Sequence, residues 1–208
     1  MRRSPARRLP GLIAGLSIFG VGIAFMAQSE LGLGPWEAFH QGISRQSGLE
    51  LGTVSILVGI PVLALWWPLG QRPGIGTVLN MALVGTMTNV ALRVVPAPGS
   101  VGGRIALMLG GVVLIGIASG IYLSADLGAG PRDGLMTALH HRFGWSIALV
   151  RTTMEVTVLA IGWLLGGTVG LGTVVFAFGI GPIVQRALAA FDRDGVVLRK
   201  RTMLDAAE

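Results

Sequence analysis

Five runs of the chain carry no charged residue: positions 11–29, 51–71, 73–92, 105–125 and 156–185. Each is near or beyond the roughly 18 residues that mark a membrane-crossing helix. The last run is interrupted by the glycine-rich turn Gly166-Gly167-Thr168-Val169. The pattern predicts six spans, over 11–29, 51–67, 74–92, 105–124, 146–165 and 170–188. The expected fold class is all-α, a polytopic membrane helix bundle. Four arginines precede the first span, as in a signal peptide. Its apolar run is longer than a usual signal core and no clean small-x-small site follows, so it reads as a retained helix.

Composition agrees with the pattern. About two-thirds of the 208 residues are apolar once the 33 glycines are counted, 12% are charged, and the mean hydropathy is +0.72. A soluble enzyme is excluded on these grounds. Six spans of about 20 residues leave no room for an extramembrane domain. With no cysteine, disulfides, thiolate nucleophiles and thiolate metal sites are also excluded.

The net charge of +6 would suggest nucleic acid in a soluble chain, but here the basic residues lie mainly at the ends and in loops. Topology and anionic lipid at the basic tails account for them, and no nucleic-acid partner is expected. A cytoplasmic N-terminus puts Arg2, Arg3, Arg7, Arg8, Arg72, Arg132, Arg142, Arg186, Arg193, Arg199, Lys200 and Arg201 inside. Only Arg45, Arg93 and Arg104 remain outside, twelve against three. Six spans with both termini in the cytoplasm satisfy this asymmetry.

The chain also repeats itself. Leu31-Gly32-Leu33-Gly34-Pro35 matches Leu127-Gly128-Ala129-Gly130-Pro131 at an offset of 96 residues. The same offset pairs Trp67 with Trp163, Gly76-Thr77-Val78 with Gly172-Thr173-Val174, and Gly85 with Gly181. The organisation read from this is a basic tail at 1–10, repeat one at 11–95, repeat two at 103–188 and a polar cytoplasmic tail at 189–208. Three spans per half would insert the second half upside down, giving two inverted three-helix repeats. Such repeats are common in secondary transporters, and they also arise when duplication simply builds a bundle.

Candidate chemistry is sparse. Gly34-Pro35 and Gly130-Pro131 each open a short helix, over 36–46 and 133–143, with Glu37 or Asp133 in its first turn. These acids either stabilise the helix dipole or serve as cation or proton sites at opposite ends of one pathway. Apolar stripes such as Trp36, Phe39 and Ile43 favour helices lying at the interface, with re-entry into the bilayer as the alternative. Arg151 and Glu155 sit four residues apart inside the fifth span and should pair, as a structural lock or as a substrate or proton site. Their repeat counterparts are Ser55 and Gly59. Asn80 and Asn89 either line a polar cavity or bond helices together. His40, His140 and His141 do not suggest a metal site, no catalytic grouping has a recognisable spacing, and no cofactor is called for. Glycines at four-residue intervals, Gly11 to Gly15, Gly116 to Gly120 and Gly162 to Gly166, predict close helix contacts.

Three stretches carry a family resemblance: Leu31-Gly32-Leu33-Gly34-Pro35-Trp36-Glu37, Leu69-Gly70-Gln71-Arg72-Pro73-Gly74-Ile75-Gly76-Thr77, and Gly128-Ala129-Gly130-Pro131-Arg132-Asp133-Gly134. Together with Val150-Arg151-Thr152 and Glu155-Val156 they make the chain similar to the YczE/YyaS/YitT family of bacterial integral membrane proteins. The resemblance implies a multi-pass protein of the bacterial cytoplasmic membrane and supplies no catalytic residue. The function expected is a small secondary transporter or permease of an unidentified small molecule or ion. The alternative is a non-transporting membrane scaffold or regulatory accessory, and a homodimer is compatible with either.

Overall fold

Eight helices make up most of the described residues. They are α1 (Pro5–Ser29), α2 (Pro35–Ser47), α3 (Leu51–Ala64), α4 (Ile75–Val94), α5 (Val101–Ser124), α6 (Pro131–Phe143), α7 (Ile147–Leu164) and α8 (Leu171–Phe191). The computed structural model describes residues 5–192 and Gly195, and no strand occurs among them. The expectations for Arg2, Arg3 and the polar tail from 196 onward lie outside the described residues.

Five helices, α1, α4, α5, α7 and α8, are long and apolar enough to cross a membrane. The second expected span departs from the pattern. Its charge-free run stays helical only to Ala64, then turns through Pro68 and a left-handed Gly70 at φ 72°. A 14-residue helix reaches about 21 Å, short of a hydrocarbon core of about 30 Å. Only together with α2, across a 110° bend, does α3 count as a sixth candidate span.

The 96-residue offset reappears in the backbone. Helices begin at 5, 35, 51 and 75 in the first half and at 101, 131, 147 and 171 in the second. Gly32 and Gly128 share φ values of 121° and 132°, which side chains resist. Glu30 and Asp126 precede them in left-handed conformations. The short helices end alike, at left-handed Gly48 and Gly144, whose N–H groups bond back to the Ser44 and His140 carbonyls.

The core is the antiparallel pair α1 and α5. Gly15 of α1 abuts Ala118 and Tyr122, and Gly22 abuts Gly111 and Ile115, so one helix descends as the other rises. A Cβ on Gly111 would fall 2.8 Å from the Gly22 carbonyl oxygen; glycine is what allows these backbones to touch. Leu12, Leu16, Phe19 and Ile23 are buried along α1, which makes the first helix an element of the core. α4 packs on α1 at Gly20, and α8 packs on α5 at Gly116 and Gly120, so each half uses the corresponding glycine for its own last helix. Across the halves, the Gly76 N–H donates to the Leu127 carbonyl at 2.9 Å and the Gly172 N–H to the Leu31 carbonyl at 2.7 Å.

Candidate functional site

The site starts from the two Gly-Pro steps. Gly34 and Gly130 are extended, with φ of −61° at both, and the following prolines occupy the first helical turn, where a missing N–H is harmless. This places Glu37 and Asp133 in the first turns of α2 and α6, where the helix dipole favours negative charge. The structure brings Arg132 and Tyr122 to these two acids. Arg132 Nη1 lies 3.2 Å from Glu37 Oε1, and the Tyr122 hydroxyl donates to Asp133 Oδ2 at 3.2 Å. The Arg132 guanidinium stands 5.7 Å from the Phe19 ring centroid, within cation–π range. Phe19 meets Tyr122 edge to face at 6.1 Å.

Arg132, counted with the cytoplasmic basic residues, is the partner of a carboxylate that is only 5% exposed. The first turn of α2 is turned into the protein: Pro35, Trp36, Glu37 and Ala38 are all buried. Trp36 and Phe39 form the apolar stripe, but Trp36 faces protein.

Glu37 is held by one oxygen. Oε1 faces Arg132, whereas Oε2 is buried without a hydrogen-bond partner among the described residues. A Cβ at Gly34 would lie 2.6 Å from Oε2, so the glycine makes the space that this oxygen occupies. A buried acceptor left unpaired costs about 1–3 kcal/mol, and more when charged.

Two cavities meet at the cluster, with volumes of about 70 Å³ and about 230 Å³. The smaller is lined by Phe19, Glu37, Ser55, Gly59 and Val84 among others. Their counterparts 96 residues on, Ile115, Asp133, Arg151, Glu155 and Ile180, line the larger. Trp36, Tyr122, Arg132 and Asp133 border both. The cavities are thus repeat-related and separated by the charged cluster.

Of the residues singled out from sequence, Arg151 and Glu155 do pair, Nε to Oε1 at 2.9 Å, and both line the larger cavity with side chains 53% and 36% exposed. Asn80 lines the smaller cavity, beside Gly130 and Asp133. Asn89 lines neither: it accepts from the Gly52 N–H at 2.7 Å and donates to Thr53 Oγ1 at 3.0 Å, tying α4 to α3. His40 also lines the smaller cavity, its ring near Trp36 and Phe39. His140 and His141 lie against one another elsewhere, and no group of three or more metal-type ligands occurs among the described residues. Sequence reasoning passed over Tyr122 and the pairing role of Arg132. The available signal was the repeat itself, which sets a charged Arg132 where the first half has Trp36.

No solved structure matches the chain. Residues 6–188 match the model of a family of unknown function, DUF6198. An uncharacterized protein of Haemophilus influenzae is 41% identical over 84% of this chain and 80% of its own length. The uncharacterized membrane protein YczE of Bacillus subtilis is 36% identical over 90% of this chain and 88% of its own. YyaS, an uncharacterized protein of the same bacterium, is 26% identical over 87% of this chain and 96% of its own. With its charge-poor bundle of apolar helices and a family match over residues 6–188, the chain is a multi-pass membrane protein that belongs to the DUF6198 family, of unknown function, and is similar to YczE and YyaS.

Proposed function

We propose that this protein is a small secondary transporter of the bacterial cytoplasmic membrane, built from two inverted repeats that expose the Glu37, Arg132, Asp133 and Tyr122 cluster to the two sides in turn. The observation that carries this reading is the pair of repeat-related cavities bordering one set of central residues. With α2 and α3 counted as one broken span, each half crosses three times and the second enters inverted. The larger cavity, with Arg151 and Glu155 on its wall, is the substrate vestibule in this arrangement. Withdrawing Arg132 from the basic residues assigned to the cytoplasm leaves eleven against three outside, so both termini stay cytoplasmic. Lipid covers the outward faces, where Phe178, Leu164 and Val94 are largely exposed and Trp67 and Trp163 stand at helix ends as interfacial anchors.

The chain has no cysteine, so single cysteines report cleanly. Thr137→Cys probes the larger cavity and Ser55→Cys the smaller. In oriented vesicles, a membrane-impermeant maleimide should label the first from one side and the second from the other. Failure of both to label in folded, inserted protein would replace transport with a solidly packed membrane scaffold.

A further inference from the structure

We infer that Glu37 is the proton-binding residue of this centre, taking up and releasing one proton at Oε2 as the site changes the side it faces. The inference rests on the transport reading and names its coupling ion. It begins from charge. The cluster holds two carboxylates, Glu37 and Asp133, against one guanidinium, Arg132, while Arg151 and Glu155 neutralise each other on the larger cavity's wall. One negative charge is left over in a place where water is scarce.

The geometry says where the missing positive charge binds. Asp133 has the Tyr122 hydroxyl, and Glu37 Oε1 has Arg132, but Glu37 Oε2 is buried without a partner among the described residues, and Glu37 is one of the residues lining the smaller cavity. That cavity, at about 70 Å³, has room for the water that would deliver a proton. A metal cation would need several oxygen ligands around it. Oε2 instead has the Gly34 backbone beside it and the Phe176 ring close by, a setting that suits one added hydrogen.

The groups facing Glu37 from the surrounding elements are few. α2 contributes His40, α6 contributes Arg132 and Asp133, and α5 contributes Tyr122. α4 offers the neutral Asn80, α1 Phe19 and α8 Phe176; on α7, Arg151 and Glu155 line the larger cavity, as does Arg132. In the proposed step, a hydronium in the smaller cavity gives its proton to Oε2, forming a neutral carboxyl and leaving water. Arg132 then loses its claim on Glu37 and is free to turn to Asp133, the repeat equivalent of Glu37. Return of the proton to water on the opposite side restores the Glu37–Arg132 pair, and charge balances over the cycle.

Infrared difference spectroscopy of the purified full chain in lipid, recorded while bulk pH is stepped, reads carboxyl protonation directly. The expected result is a titrating carboxyl band that disappears in Glu37→Gln and persists in Glu155→Gln. Glu37→Asp, which keeps the acid, should retain the band at a shifted frequency and covers the case in which the glutamine variant fails to fold. Loss of the band in Glu155→Gln instead, or no Glu37-dependent band in folded protein, overturns the inference. So does a carboxylate signal that responds to replacing choline with sodium at constant pH, which would make the bound charge a metal cation. These outcomes are independent of cysteine labelling: a titrating Glu37 in an unlabelled protein would defeat transport and spare the proton site, and labelled cavities with a silent Glu37 would do the reverse.

Discussion

The two halves begin their helices in the same register yet pack them differently. In the first, α3 lies tightly on α4: a Cβ at Gly52 would fall 1.9 Å from the Gly85 carbonyl oxygen, and Asn89 bonds across the seam. In the second, α7 leaves α8 and packs against α2, where Gly162 sits on Ala38 and Phe39. Gly181, the counterpart of Gly85, has nothing near it. Side-chain size accounts for the difference. α3 presents Gly52, Ser55 and Gly59 where α7 carries Ala148, Arg151 and Glu155, so the second seam cannot close and the larger cavity stays open. A complementary exchange occurs where the halves cross. Trp66, buried against Gly134 with its Nε1–H donating to the Pro131 carbonyl at 3.0 Å, occupies the place of Gly162. A bulky wedge holds α3 off α6, and its missing equivalent lets α7 onto α2. Repeated backbone plus unequal side chains yields one closed seam and one open cavity.

The strongest way to break this comparison is at the two ion pairs. Arg132→Leu leaves the buried Glu37 uncompensated and should cost about 3–5 kcal/mol, read as a large fall in Tm by size-exclusion after heating in detergent. Next comes the glycine pair. Gly85→Leu drives side-chain atoms into the Gly52 backbone and should lose about 3 kcal/mol or more, while Gly181→Leu stays within about 0.5 kcal/mol of the parent. Equal losses at the two positions would show that α7 and α8 are closed together in the membrane. Arg151→Ala is the smallest effect: with a half-exposed pair its stability should change by about 0.5 kcal/mol or less. Combining Arg151→Ser with Glu155→Gly makes the second seam like the first and should abolish maleimide labelling at Thr137→Cys.

Much of this was legible in the sequence because it is local chemistry. The offset of 96 residues survives in the helix starts, since Gly-Pro steps, left-handed glycines and the Thr77 and Thr173 hydroxyls that accept from the Gly74 and Gly170 N–H groups each fix their own turn. The Arg151–Glu155 pair was legible for the same reason, being one helical turn apart. The centre was less so. Arg132 and Glu37 are 95 residues apart and meet only because the halves interlock, and no periodicity in either segment records that contact. Charge counting grouped Arg132 with the cytoplasmic basic residues because a count by side does not register burial. The second helix is three residues shorter than the 51–67 expected because an apolar run counts residues, not turns, and the chain turns over 65–70 within that run.

The crossed backbone bonds described for the fold have a bearing on biogenesis. The loop after α1 finds partners for its Leu31 carbonyl and Leu33 N–H only at Gly172 and Thr168, on either side of the step into the last helix. A ribosome delivering the chain in order therefore leaves the first half's inner loop unsealed until nearly the whole protein has been made. The first half alone should be a poor folder and a target for membrane proteases. The two halves made as separate chains should recover each other, because each holds the donors that complete its sibling's loop.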